Sequence, residues 1–202
     1  MSISRVRVEQ MYRAGVDAVE TITTDLGAAW DEPACGEWTA AGVTRHLLAV
    51  SRWYHGWLDR ALEGVSHPPF AADELPAANA ADLAALESMP GPDAATAFAT
   101  SARHYLERVG PAWDLPFGYP YGTVTAGLHA GVAATEWHLH AWDLATAIGR
   151  SHEPDDPQGL FLAAGACLAR TEGGLKGAVL ARLVPLAARH DPWPSLLRRS
   201  GR

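Results

Sequence analysis

The 202 residues, 48% hydrophobic and 19% charged, suffice for one domain with a real core and exclude a chain that is disordered throughout. A formal net charge of −7, with no run of Lys or Arg before the last few residues, leaves no footprint for nucleic acid or an anionic membrane and favours a small-molecule partner. Two cysteines, Cys35 and Cys167, are too few for a disulfide framework. The N-terminus lacks the apolar core of a signal peptide, and no stretch reaches the roughly 18 apolar residues of a membrane span, so the chain reads as cytoplasmic.

In chain order, Val8, Met11, Tyr12, Gly15, Val16, Val19, Ile22 and Leu26 recur at three and four residue spacing and predict a helix over Val6 to Ala29. Asp31, Pro33 and Gly36 make Trp30 to Trp38 a loop, after which Thr39 is placed to cap a helix from about Ala40 to Leu62. A Pro/Ala-rich loop precedes a segment from about Asp82 to Val109, broken at Pro90-Gly91-Pro92. Pro111 to Gly122 reads as loop, and Thr123 opens a helix to about Ile148, ended by Gly149. Four long helical segments joined by short connections predict a mainly α, antiparallel four-helix bundle over residues 1–150. Residues 151–202 form a short C-terminal helical extension packed on it, with a helix over about Gln158 to Thr171. Periodicity leaves Ala178 to Pro185 open between strand and helix.

Glu136 and His140 lie four residues apart, so a helix turns them through about 400° and sets both on one side, able to share a cation. Such a pair also occurs by chance as a solvent-facing helix contact. His46 interrupts the apolar run Val43 to Val50 and is the best third donor from another helix. A His/His/Glu set suits Zn²⁺, with Ni²⁺ and Mn²⁺ also acceptable, and leaves a position open as in a reactive centre. Seven residues either side of Glu136 lie His129 and Asp143, on its face but about 10 Å along the axis. Asp143 reads equally as an acceptor orienting an imidazole or as a helix-end carboxylate, and His129 as a pocket-mouth residue or a core histidine. Trp53 and Trp57 share the His46 face as pocket wall or as core. His138 reads as exposed or interhelical, Cys35 as a reactive thiol or a small buried loop residue, and His67, His104, His152 and His190 have no evident partner. No nucleophile elbow, Cys-x-x-Cys, phosphate loop or dinucleotide fingerprint is present.

Two segments, Pro33-Ala34-Cys35-Gly36-Glu37-Trp38-Thr39 leading to Val43-Thr44-Arg45-His46-Leu47, and Glu136-Trp137-His138-Leu139-His140-Ala141-Trp142-Asp143-Leu144-Ala145, resemble the signature segments of the mycothiol-dependent maleylpyruvate isomerase family within the DinB-like metal-binding superfamily. The ending Leu196 to Arg202 is similar to that of many uncharacterised members. The resemblance implies a DinB-like four-helix bundle, a catalytic divalent metal on His46, Glu136 and His140, and mycothiol as a thiol co-substrate for S-transfer or isomerisation of a small electrophile. Gly42 stands where members commonly have an acidic residue, and only residues 150–202 follow Gly149, as in shorter members without the large C-terminal domain of the isomerases proper. A metal-dependent hydrolase and a non-catalytic ligand-binding bundle remain as alternatives, as do monomer and homodimer.

Overall fold

Ser4 and Thr39 each occupy extended backbone just before a helix, and their hydroxyls accept hydrogen bonds from the amides of Arg7 and Gly42. These caps satisfy amides that a helix start leaves unpaired. In the computed structural model, which describes residues 3–202 apart from the side chain of Leu175, they open α1 (Arg5–Asp25) and α2 (Ala40–Leu62). Between them lies the hairpin of β1 (Pro33–Cys35) and β2 (Trp38–Thr39), turned by Gly36 at φ 56°. The sequence reads this stretch only as loop.

The break at Pro90 falls where expected and separates α3 (Leu75–Ala85) from α4 (Gly91–Val109). The first of these is a separate helix beginning before Asp82, with Pro76 in its first turn, where no amide partner is required. A second hairpin, β3 (Pro116–Tyr119) and β4 (Gly122–Thr125), replaces the expected loop and the expected helix start at Thr123. Its alternation buries Phe117, Tyr119 and Val124, and β-branched Thr123 and Val124 suit a strand. Thr125 then caps α5 (Ala126–Ala147) by accepting from the Leu128 amide.

Asp156 caps α6 (Pro157–Glu172), followed by α7 (Gly174–Ala187) and α8 (Pro192–Arg199). The undecided stretch Ala178 to Pro185 is thus helical.

The bundle consists of α1 against α5 and α2 against α4, closed by α1–α4 and α2–α5 contacts. Trp137, fully buried, fills its middle, edge-on to Tyr12 at 5.9 Å and to Phe98 at 4.8 Å between ring centroids. Gly15 permits this packing, because a Cβ there would come within 2.8 Å of the Trp137 Cβ. α6 lies on α5 and is tied to α1 by the bidentate Arg7–Asp156 pair, at 2.6 and 2.7 Å. α8 packs on α6, and Trp193 donates to the His152 carbonyl. Among the described residues no helix is long and apolar enough to cross a membrane.

Candidate metal centre

α2 and α5 bring His46 and His140 together, with ring centroids 5.0 Å apart and planes at 70°. Each imidazole is anchored through Nδ1. His46 Nδ1 is 2.7 Å from the Asn79 side-chain oxygen on α3, and His140 Nδ1 is 2.9 Å from Asp143 Oδ2 one turn along α5. Both partners accept, so the proton of each ring sits on Nδ1 and each Nε2 carries a lone pair. Metal-binding imidazoles are held in this way. Burial, reinforced by the neighbouring His140, pushes His46 down to about 3, so the ring is neutral near pH 7. Trp38 packs beside it at 4.7 Å between centroids.

Glu136 Oε2 is 3.8 Å from His140 Nε2, beyond hydrogen-bond length, and the carboxylate has no hydrogen-bond partner among the described residues. Its side chain is 41% exposed, so Glu136 is a half-exposed group free to rotate. The donor chemistry therefore fits a divalent cation: two imidazoles anchored through Nδ1, whose Nε2 atoms have no hydrogen-bond partner among the described residues, and an uncommitted carboxylate.

A tighter group lies on the other edge of the His140 ring. Among the described residues, Cys35, His140 and Asp143 alone have three donor atoms within 4.8 Å of one another. The Arg202 guanidinium supplies the positive charge there. Its Nε donates to Asp143 Oδ1 at 2.8 Å and its Nη2 to Oδ2 at 2.5 Å, with Nη2 also 3.8 Å from Cys35 Sγ. Burial alone would raise the Asp143 carboxyl, but hydrogen bonds from His140 and Arg202 outweigh it and hold it below the usual range. Burial and the Asp143 charge raise the Cys35 thiol, which makes it a poor nucleophile.

His46 and Glu136 open onto a cavity of about 970 Å³ between α2, α3, the second hairpin, α5 and α6. Trp53 and Trp57, stacked at 6.0 Å between centroids, form part of its wall, as do Tyr54 and His129. His129 is 1% exposed and hydrogen-bonds Tyr105 at 2.9 Å, so it is both a core histidine and a lining residue, set in the inner wall rather than at the mouth. His138 is buried and interhelical: Nε2 donates to the Met11 carbonyl of α1 at 3.1 Å, and Nδ1 accepts from His152 at 3.0 Å. His152 therefore has a partner that the sequence did not disclose, and so does His67, which meets Arg60 at 3.2 Å.

Sequence reasoning missed Asn79, Trp38 and Arg202. Asn79 is a lone amide in an Ala-rich helix, a faint signal. Arg202 had one only in the resemblance of the chain's ending.

A helical bundle that presents two anchored imidazoles and a carboxylate beside an aromatic cavity has the donor set of a cation-binding bundle. Residues 12–145 match the mycothiol maleylpyruvate isomerase N-terminal domain, and the chain belongs to that mycothiol-related, DinB-like metal-binding family. It is also similar to uncharacterized proteins of Mycobacterium tuberculosis, strains CDC 1551 / Oshkosh and ATCC 25618 / H37Rv, each 28% identical over 121 residues. Those alignments cover 60% of this chain and 55% of each relative, so the chain spans about half the length of the curated relatives it matches. No solved structure matches.

Proposed function

We propose that this protein is a divalent-metal-dependent enzyme that activates a low-molecular-weight thiol, mycothiol, for S-transfer to, or thiol-assisted isomerisation of, a small electrophile in the cytoplasm. One observation carries the reading: His46 and His140 are both anchored through Nδ1 with their rings 5.0 Å apart, His140 Nε2 lies 3.8 Å from Glu136 Oε2, and His46 and Glu136 line a large aromatic-walled cavity. His46, Glu136 and His140 would hold the ion, with zinc the first choice and nickel or manganese acceptable to the same donors. A divalent cation so placed favours thiolate over thiol, and the thiolate is the nucleophile.

The remaining work belongs to the chain. Asn79 and Asp143 keep the two rings in the ligating tautomer and plane. Trp53, Trp57 and Tyr54 offer apolar surface to the organic part of a substrate and exclude water from it. His129, held near 3 by burial, stays neutral and offers a hydrogen bond rather than a charge. Membership of a mycothiol-related family supports the choice of thiol.

The test begins with metal per chain. Wild type purified without chelator should hold close to one equivalent, and His46→Ala, Glu136→Ala and His140→Ala should each lose it while retaining helicity by circular dichroism. Loaded protein should then consume an electrophile only when thiol is added. Turnover without thiol would point to hydrolysis, and a wild type that takes up no divalent metal would remove the basis of the reading.

A further inference from the structure

The segment that follows α7 reaches the His140 ring through Arg202, while Arg199 lines the cavity. Arg202 lies beyond α8, 11% exposed, and its Nε and Nη2 grip both oxygens of Asp143, which is 1% exposed. The same carboxylate accepts from His140 Nδ1 at 2.9 Å, and Arg202 Nη2 stands 3.3 Å from that nitrogen. The chain of contacts runs from guanidinium to carboxylate to imidazole without a gap, and the imidazole's far nitrogen is the proposed ligand atom.

We propose that Arg202 is a positioning residue of the metal centre, coupling the docking of segment 192–202 to cation affinity at His140. The proposal rests on the function proposed above. Arg202 bonds both oxygens of Asp143, whereas His140 bonds one and the Cys35 thiol adds a weaker contact, so the guanidinium does most to fix the plane of the carboxylate. A planar two-bond fork fixes orientation in a way that a single point charge does not. Without it, Asp143 can rotate about its own side-chain bonds, and the His140 ring loses a defined acceptor. Loss of such outer partners typically weakens metal binding 10- to 100-fold.

Coupling is reciprocal: whatever the docked segment adds to cation affinity, the cation returns to docking. α8 has anchors of its own. Trp193 and Leu196 are buried, and Trp193 donates to the His152 carbonyl, so removing the Arg202 side chain leaves the helix seated.

The experiment measures Zn²⁺ affinity by competition with a chromophoric chelator for the full chain and for Arg202→Met, Arg202→Lys and, as control, Arg198→Met. Arg198 is exposed, and among the described residues its side chain hydrogen-bonds only Ser195. Arg202→Met should bind zinc about 10- to 100-fold more weakly at unchanged helicity. Arg202→Lys should recover part of the loss, and Arg198→Met should match wild type. Zinc should also slow amide hydrogen exchange of residues 192–202 in wild type, and this protection should vanish in Arg202→Met. Equal zinc affinity of wild type and Arg202→Met, or tail exchange indifferent to zinc in wild type, overturns the role of Arg202 alone. A wild type that binds no zinc overturns the proposed function and this inference with it.

Discussion

Asn79 holds the His46 ring with one amide oxygen at 2.7 Å, and it does so from α3, a helix outside the four-helix bundle. Asn79→Ala should therefore keep a ligand at His46 but lose its orientation. Zinc affinity should fall about 10- to 100-fold by chelator competition, where His46→Ala abolishes binding. A variant as tight as wild type would mean that Trp38 packing alone orients the ring. Gly118 sets a second local constraint, since a Cβ there would meet the His67 carbonyl oxygen at 2.3 Å. Backbone cannot yield as a side-chain tip does, so Gly118→Ala should destabilise the protein by about 1–3 kcal/mol and shift the cavity wall. Thermal unfolding of the variant should show a fall of several degrees. Helix spacing placed Glu136 and His140 on one face of α5, and His46 stood out by interrupting an apolar run, and the structure sets the His46 and His140 rings 5.0 Å apart. Asn79 and Arg202 were not legible in the sequence, because nothing in local spacing says that α3 or the tail returns to that face.

At the scale of elements, the helix start that the sequence misplaced gives a direct comparison. Thr125 caps α5 through the Leu128 amide, whereas Thr123 lies in β4, exposed, and donates to the Ser66 carbonyl at 2.7 Å. Thr125→Ala should cost about 1 kcal/mol and lower the melting temperature by about 2–4 °C. Thr123→Ala should stay within about 0.5 kcal/mol of wild type, as a surface substitution. The reverse order would place the cap where the sequence put it. The misreading has a physical source: Pro116, Gly118, Pro120 and Gly122 are turn formers, and they masked a period-two alternation only four residues long on each strand. The long helices α1, α2 and α5 carry enough turns for their apolar face to be unmistakable. The short hairpins owe their existence to packing against α2, α5 and α6.

For the whole molecule, acid stability follows from histidines that the fold keeps neutral. Burial holds His129 at about 3, and burial with the neighbouring His152 holds His138 at about 4. In the unfolded chain a histidine titrates near 6.5, so between that value and the folded ones the unfolded state binds more protons. The stability these rings contribute is complete above about pH 6.5 and is lost as pH falls toward 4 and 3. Carboxylates add little in the upper part of this window, because the unfolded values of Asp and Glu lie near 4 and Asp143 and Asp156 are held lower still. Metal-free protein should therefore unfold at lower urea at pH 5 than at pH 7, by roughly 1–2 kcal/mol for each buried ring, His46 included. His129→Phe should flatten the slope by one ring's share, although Tyr105 loses its partner and the variant begins less stable. A urea midpoint unchanged from pH 7 to pH 5 would mean that these rings take up protons without unfolding. The packing of His129 among Tyr54, Phe117 and Tyr105 would then be looser than its 1% exposure requires.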